Sequence, residues 1–249
     1  MWEVGHGDML RSEKRITLFV GNFGSGKTEV AVNYALFLAE TGPDAKVSLA
    51  DLDLVNPYFR SREPLELMES RGIHVVLPES RYLHADLPIL VPEVRSVLMK
   101  SEGPVVLDVG GDDVGARVLG ALEDALDPNT LRALMVVNAN RPFTGTVEGV
   151  KQMIHSIQQA AHLMITGLVS NTHMMEDTTL EDVLTGYTLS SEVGARLGLP
   201  LEFVCVPQHL LSEARARLTC EILPISRRLS FPWRAPEGGT SGPGMFRLS

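Results

Sequence analysis

Seven short runs along the chain are apolar almost throughout: residues 16–20, 46–50, 73–77, 105–109, 133–138, 164–170 and 201–206. Each has strand length, and most are rich in Val, Ile and Leu. Apolar runs without strict alternation predict strands buried on both faces, as in a parallel sheet. The segments between them are longer and mostly follow a helical period. In residues 146–162, Val147, Val150, Ile154, Ile157 and Ala161 form one stripe, the core-facing side of an amphipathic helix. Residues 29–40 repeat the pattern with Val30, Tyr34, Phe37 and Leu38. Strand followed by helix, repeated about seven times, predicts a doubly wound α/β domain. Its sheet is expected to be mainly parallel, in a Rossmann-like three-layer α/β/α arrangement.

The pattern lapses at both ends. Residues 1–15 mix charges with glycine, and from Phe231 the sequence reads FPWRAPEGGTSGPGMFRLS. The expected organisation is an N-terminal extension over 1–15, one domain over 16–220, and a partly mobile C-terminal tail over 221–249. No stretch nears the roughly 18 apolar residues of a transmembrane helix, and the start lacks the basic and apolar regions of a signal peptide. The expected compartment is the cytoplasm. The segment EILPISRRLSFPW at 221–233 mixes apolar and basic residues, but Pro224 and Pro232 interrupt it, so membrane contact is not expected.

Composition narrows the classes. A hydrophobic fraction of 44% supports a sizeable core. Two cysteines, Cys205 and Cys220, exclude a disulfide scaffold and a four-cysteine metal or cluster site within one chain. A formal net charge of −9 argues against general nucleic-acid binding. None of the seven histidines falls in a metal-binding spacing such as HExxH.

The chemistry-bearing motif is Gly21-Asn22-Phe23-Gly24-Ser25-Gly26-Lys27-Thr28, a full match to G-x-x-x-x-G-K-[ST] between an apolar run and a helical pattern. The glycines let the backbone curl and present N–H groups to phosphate oxygens, and the helix N-terminus adds its positive dipole end. Lys27 is placed to reach the β- and γ-phosphates, and the Thr28 hydroxyl to ligate Mg²⁺. Residues 21–28 and the following Glu29 form the expected nucleotide site.

Such a loop needs acidic partners at the ends of strands. Asp51 and Asp53, in DLDLVNP, have the spacing that points two carboxylates from a strand end to one side; turn or cap chemistry is the alternative. Asp108 ends the apolar run VVLD before Gly110-Gly111, the pattern of a Walker B aspartate. Asp112 and Asp113 fit a helix cap. The loop carrying Tyr58, Phe59, Arg60 and Arg62 is either a switch region or a solvated loop. Arg141-Pro142-Phe143-Thr144 follows the fifth run at the same edge and reads as a loop, with a part in shaping the nucleotide pocket or a dimer surface as the alternative. Cys205 reads as a small core residue.

Taken in order, GNFGSGKT at 21–28, DLDLVNP at 51–57, LDVGG at 107–111, VVNANRP at 136–142, GLVSNT at 167–172 and VPQ at 206–208 resemble the MinD/ParA/CobQ–CobB group of SIMIBI-class P-loop proteins. The resemblance implies Asp51 near Mg²⁺, Asp53 orienting the attacking water, Asp108 as the Walker B residue and Gly111 sensing the γ-phosphate. It implies Asn171 on the nucleobase, the segment after Val206 flanking it, and commonly a nucleotide-bridged homodimer. One departure is Asn22, where ParA and MinD relatives carry a second lysine; the loop itself is more similar to that of metallochaperone GTPases. Guanine-specific relatives read the base with Asn-Lys-x-Asp, whereas this chain has Asn171-Thr172-His173-Met174, which favours ATP over GTP.

The expected function is a Mg²⁺-dependent ATP-binding protein, a slow ATPase acting as a switch on a partner protein or its maturation. Lys27 and Asp53 are its catalytic residues, and Thr28, Asp51 and Asp108 its metal site. The alternatives are a carboxylate-activating enzyme of the CobB or dethiobiotin-synthetase type, with Arg60, Arg62 and Arg81 as substrate-pocket candidates, and a metallochaperone GTPase.

Overall fold

The apolar runs become parallel strands. The computed structural model describes residues 10, 12–42, 45–53, 62–77, 90–110 and 113–227. Within them lie β1 (Ile16–Val20), β2 (Ser48–Asp51), β3 (His74–Val76), β4 (Val105–Asp108), β5 (Leu131–Val137), β6 (Gly167–Ser170), β7 (Leu201–Pro207) and β8 (Ile222–Ile225). The helices are α1 (Lys27–Thr41), α2 (Arg62–Ser70), α3 (Leu90–Lys100), α4 (Asp113–Ala121), α5 (Val147–Ala161), α6 (Leu180–Leu197) and α7 (Leu211–Arg215). The strands form one sheet of order β3-β2-β4-β1-β5-β6-β7-β8, and each neighbouring pair is parallel.

Successive strand residues point to opposite faces, and each face has its own core. Ile16, Leu18 and Val20 of β1 join Leu107, Met135 and Val137 beneath Leu98 of α3, Val118 of α4, and Val150 and Ile154 of α5. Phe19 joins Leu49, Val106, Leu134 and Phe203 on the other face, against Tyr34 and Phe37 of α1 and Met68 of α2. The sheet is thus the middle of three layers, as the unbroken apolar runs predict. The stripe over 146–162 is α5, begun by the Thr146 side chain, whose Oγ1 accepts from the Gly149 N–H.

The sequence reading ended the sheet domain at residue 220; the sheet continues past it. β8 pairs in parallel with β7, with Val206 opposite Pro224. Proline is tolerated on an edge strand, where a missing donor breaks no central ladder. The N-terminal extension also touches the core: Leu10 is buried, and its carbonyl accepts from the Tyr34 hydroxyl at 2.9 Å.

Arg132, near the start of β5, is buried by a polar network. Its Nε donates to Thr17 Oγ1 at 3.0 Å, one terminal nitrogen to Glu202 at 2.8 Å, and the other to the Tyr34 hydroxyl. All three strand residues lie near strand starts, so this network closes the N-terminal edge of the sheet. The opposite edge carries the loops with chemistry.

Candidate nucleotide site

In a parallel sheet every strand ends at the same edge. The chain leaves β1 for the phosphate loop, β2 for Asp53, β5 for Asn138 and β6 for Asn171. β1 lies between β4 and β5, so chain connections diverge to either side of it, and a crevice opens there. A cavity of about 360 Å³ runs along this edge. It is lined by Gly24, Gly26, Lys27, Thr28, Glu29 and Asp53, together with Asn171, His173, Gln208, Ser226 and Arg227.

The phosphate loop holds the shape its glycines predict. Gly24 and Gly26 are left-handed, with φ 76° and 82°, conformations that cost L-residues with a Cβ. A Cβ on Gly26 would also lie 2.4 Å from the Asn171 amide nitrogen. Gly26 caps α1, so the helix dipole points at the loop. The carbonyl of Asn22 accepts from the Ser25 N–H at 3.1 Å and the Lys27 ammonium at 3.3 Å. Those donors are the ones a phosphate would take. Phe23, at the loop's crest, is 70% exposed.

Asp51 and Asp108 are register partners across β2 and β4. Both are almost fully buried. One Asp51 oxygen accepts the Asp53 N–H at 2.9 Å; its other oxygen and both oxygens of Asp108 have no hydrogen-bond partner. Burial raises both acids, and for Asp51 the neighbouring Asp108 charge raises it further. Asp51 stands well above the usual carboxylate range. For Asp108, burial outweighs the nearby Lys27 ammonium, and it is pushed to about 6. The Thr28 hydroxyl also favours its charged form, although it stands outside hydrogen-bonding geometry.

Buried carboxylate oxygens without partners are costly unless a cation completes them. Two such acids beside a threonine hydroxyl form a hard oxygen donor set that fits Mg²⁺, which keeps waters and phosphates as its other ligands. Among the described residues no three His, Cys, Asp or Glu side chains form a complete protein cage. Asp53 is partly buried and lines the cavity. Gly111, Asp112, the segment with Tyr58, Phe59 and Arg60, and Arg81 lie outside the described residues; Arg62 opens α2.

Asn171 sits at the end of β6, and its side-chain amide donates to the Ser25 carbonyl at 2.8 Å. Its amide oxygen has no partner among the described residues, so the side chain both braces the loop and offers an acceptor to the cavity. Next to it, His173 is held neutral: burial, then the charges of Arg141 and Arg227, lower it to about 4.

Several lining residues were invisible to motif reading. Ser226 enters the site because Asn33 of α1 grips it twice, accepting its N–H at 3.0 Å and donating to its carbonyl at 3.1 Å. Arg227 then pairs with Glu176 at 2.6 Å, joining the end of β8 to the segment after β6. Cys205, expected to be a core residue, is buried and also lines the cavity. Arg141, outside the cavity lining, is half-buried, and its Nε donates to the Gly24 carbonyl at 2.9 Å. Its place directly after β5 was the available signal.

No protein-family model matches the chain, and no curated protein matches its sequence. Solved structures do match in fold. The cell division protein FtsY of Thermotoga maritima superposes with a TM-score of 0.51 at 20% identity, over 78% of this chain and 62% of FtsY. FtsY of Mycoplasma mycoides gives 0.49 at 20% identity, over 76% and 59%. FlhF complexed with GTP and Mg²⁺ gives 0.48 at 11% identity, over 78% and 67%. The chain spans about three fifths of the FtsY structures it matches. The chain therefore shares a three-layer α/β/α fold with FtsY, while the resemblance to the MinD/ParA/CobQ–CobB group rests on the sequence motifs.

Proposed function

We propose that this protein is a Mg²⁺-dependent ATP-binding switch with slow ATPase activity, acting on a partner protein or on its maturation. The observation that carries the reading is the junction of phosphate loop and unpartnered acids. A curled, glycine-rich loop with a buried lysine opens onto a cavity beside two buried carboxylates whose oxygens lack partners.

The residues divide the work by position. Backbone N–H groups of residues 24–28 cradle the phosphate chain, and Lys27 exchanges the Asn22 carbonyl for phosphate oxygens. Thr28, Asp51 and Asp108 hold Mg²⁺, which when bound neutralises phosphate charge and orients the terminal phosphoryl group. Asp53, at the cavity wall, accepts a hydrogen bond from the attacking water and aligns it. By the resemblance, Gly111 is the residue that senses the γ-phosphate. Hydrolysis then releases the loops after β2 and β4, the segments a partner would read.

For the base, Asn171 offers its amide oxygen to the exocyclic amine of adenine. Guanine readout calls for a carboxylate facing two donors. The residue three positions after Asn171 is Met174, which is exposed. Glu176 lines the cavity but is paired with Arg227. ATP is therefore the preferred nucleotide. Dimerisation through the nucleotide face is part of the same proposal, as is a cytoplasmic location.

Titration with ATP and GTP, each with and without Mg²⁺, tests the reading directly. ATP is expected to bind at least tenfold more tightly than GTP and to require Mg²⁺ for full affinity. Lys27→Ala is expected to abolish binding; wild-type affinity in that variant would remove the site assignment.

A further inference from the structure

We infer that Arg141 is a second cation of the phosphate site, holding the phosphate loop by the Gly24 carbonyl and lending its remaining donors to the nucleotide's phosphate chain. This rests on the nucleotide-binding reading above and adds to it a residue outside the P-loop motif.

Within the loop itself the only cation is Lys27. Arg141 stands against the loop from the neighbouring strand end. Its Nε donates to the Gly24 carbonyl at 2.9 Å, and the buried Asn138 amide donates to the same oxygen at 3.4 Å. One strand farther out, Asn171 grips the next carbonyl, Ser25. Two consecutive peptide oxygens of the loop are thus held by side chains that follow β5 and β6.

The approach is built for a guanidinium. A Cβ on Gly24 would lie 2.9 Å from Arg141 Nε and 3.1 Å from its central carbon, so glycine here makes room for the arginine as well as for the turn. Arg141 is itself held in a pinned loop. Thr144 Oγ1 donates to the Asn138 carbonyl at 2.7 Å, the Thr144 N–H to the Arg141 carbonyl at 3.1 Å, and the Asn140 N–H to Asn138 Oδ1 at 3.0 Å.

Only Nε is committed. The two terminal nitrogens have no hydrogen-bond partner among the described residues, and no carboxylate there neutralises the charge. A planar fork of unspent N–H donors at a polyphosphate loop is the chemistry of phosphate recognition. His173, on the cavity wall, registers the same field: after burial, the Arg141 charge is the largest influence lowering it.

The test measures ATP and ADP binding to wild type, Arg141→Gln and Arg141→Lys at about 0.05 and 0.3 M salt, with melting of each nucleotide-free protein. Arg141→Gln is expected to weaken both nucleotides about tenfold and to flatten the salt dependence, because a charge facing phosphate is gone. Arg141→Lys is expected to keep the salt dependence and recover part of the affinity. A purely structural clamp predicts another pattern: a lower melting temperature without nucleotide, unchanged salt dependence, and no rescue by lysine. That pattern, or wild-type binding by Arg141→Gln, overturns the assignment. Lys27→Ala separates the two levels. If it abolishes binding while Arg141→Gln binds normally, only the Arg141 role fails. If it too binds normally, the nucleotide reading fails and the Arg141 role with it.

Discussion

Asp108 is an acid that the folded chain surrounds without satisfying. Its carboxylate is buried with both oxygens unpartnered, and burial raises it to about 6. Above that pH the ionised group opposes folding of the nucleotide-free protein, so its replacement should help the empty state and harm the loaded one. Asp108→Asn is expected to stabilise the nucleotide-free protein at pH 7.5 by roughly 1–3 kcal/mol in urea melts. The same variant should lose most of the Mg²⁺ dependence of ATP binding. His173 has the opposite sign. Its folded value of about 4 lies below the 6.5 of the free side chain, so the folded state binds fewer protons between those values. Stability is therefore full above pH 6.5 and lost as the pH falls toward 4. Wild type is expected to lose about 2 kcal/mol between pH 7 and 5 relative to His173→Gln, measured by paired denaturant melts at each pH.

At the scale of elements, the site depends on a strand that carries no motif. β8 delivers Ser226 and Arg227 to the cavity, and Asn33 holds Ser226 through both backbone groups. Asn33→Ala leaves a backbone donor and an acceptor without their partner. The expected cost is about 1–3 kcal/mol of stability, together with faster hydrogen exchange in β8 and weaker nucleotide binding. An unaltered exchange rate at residues 222–226 would show that Asn33 does not fasten the strand. The helices are anchored more locally. In α6, the Thr179 side chain and Asp182 form a reciprocal capping box. Thr179→Ala should cost about 1 kcal/mol in thermal or urea melts and leave nucleotide affinity unchanged, because the cap is not part of the cavity lining.

For the whole molecule, the parallel sheet separates stability from function. Its N-terminal edge is closed by the Arg132–Thr17–Glu202 network, and its C-terminal edge gathers cations and acids around a cavity. A net charge of −9 makes such a cation cluster a local feature against an acidic background. Because the protein itself gives these buried carboxylate oxygens no partner, nucleotide binding is expected to be linked to folding. Mg²⁺ with ATP at about a hundred times its dissociation constant should add about 2.7 kcal/mol of stability. For a chain of 249 residues that corresponds to a melting temperature higher by about 5–10 °C. GTP at the same concentration should raise it less, and scanning calorimetry with each nucleotide checks both statements.

Local chemistry explains how much was legible without the fold. Unbroken apolar runs identify buried parallel strands, the glycine spacing with Lys27 and Thr28 identifies the phosphate loop, and Asp51 and Asp108 are recognisable as acids ending strands. Each of those signals lies within a few consecutive residues, where period and backbone conformation act. The remainder depended on distance in the chain. Pro224 disguised β8 until β7 supplied an edge to pair with. Asn33 meets Ser226, and Arg141 meets Gly24, only because the strand order brings α1, β1, β5 and β8 to one rim. Partner choice across more than a hundred residues is decided by packing of the whole sheet, and no local pattern encodes it.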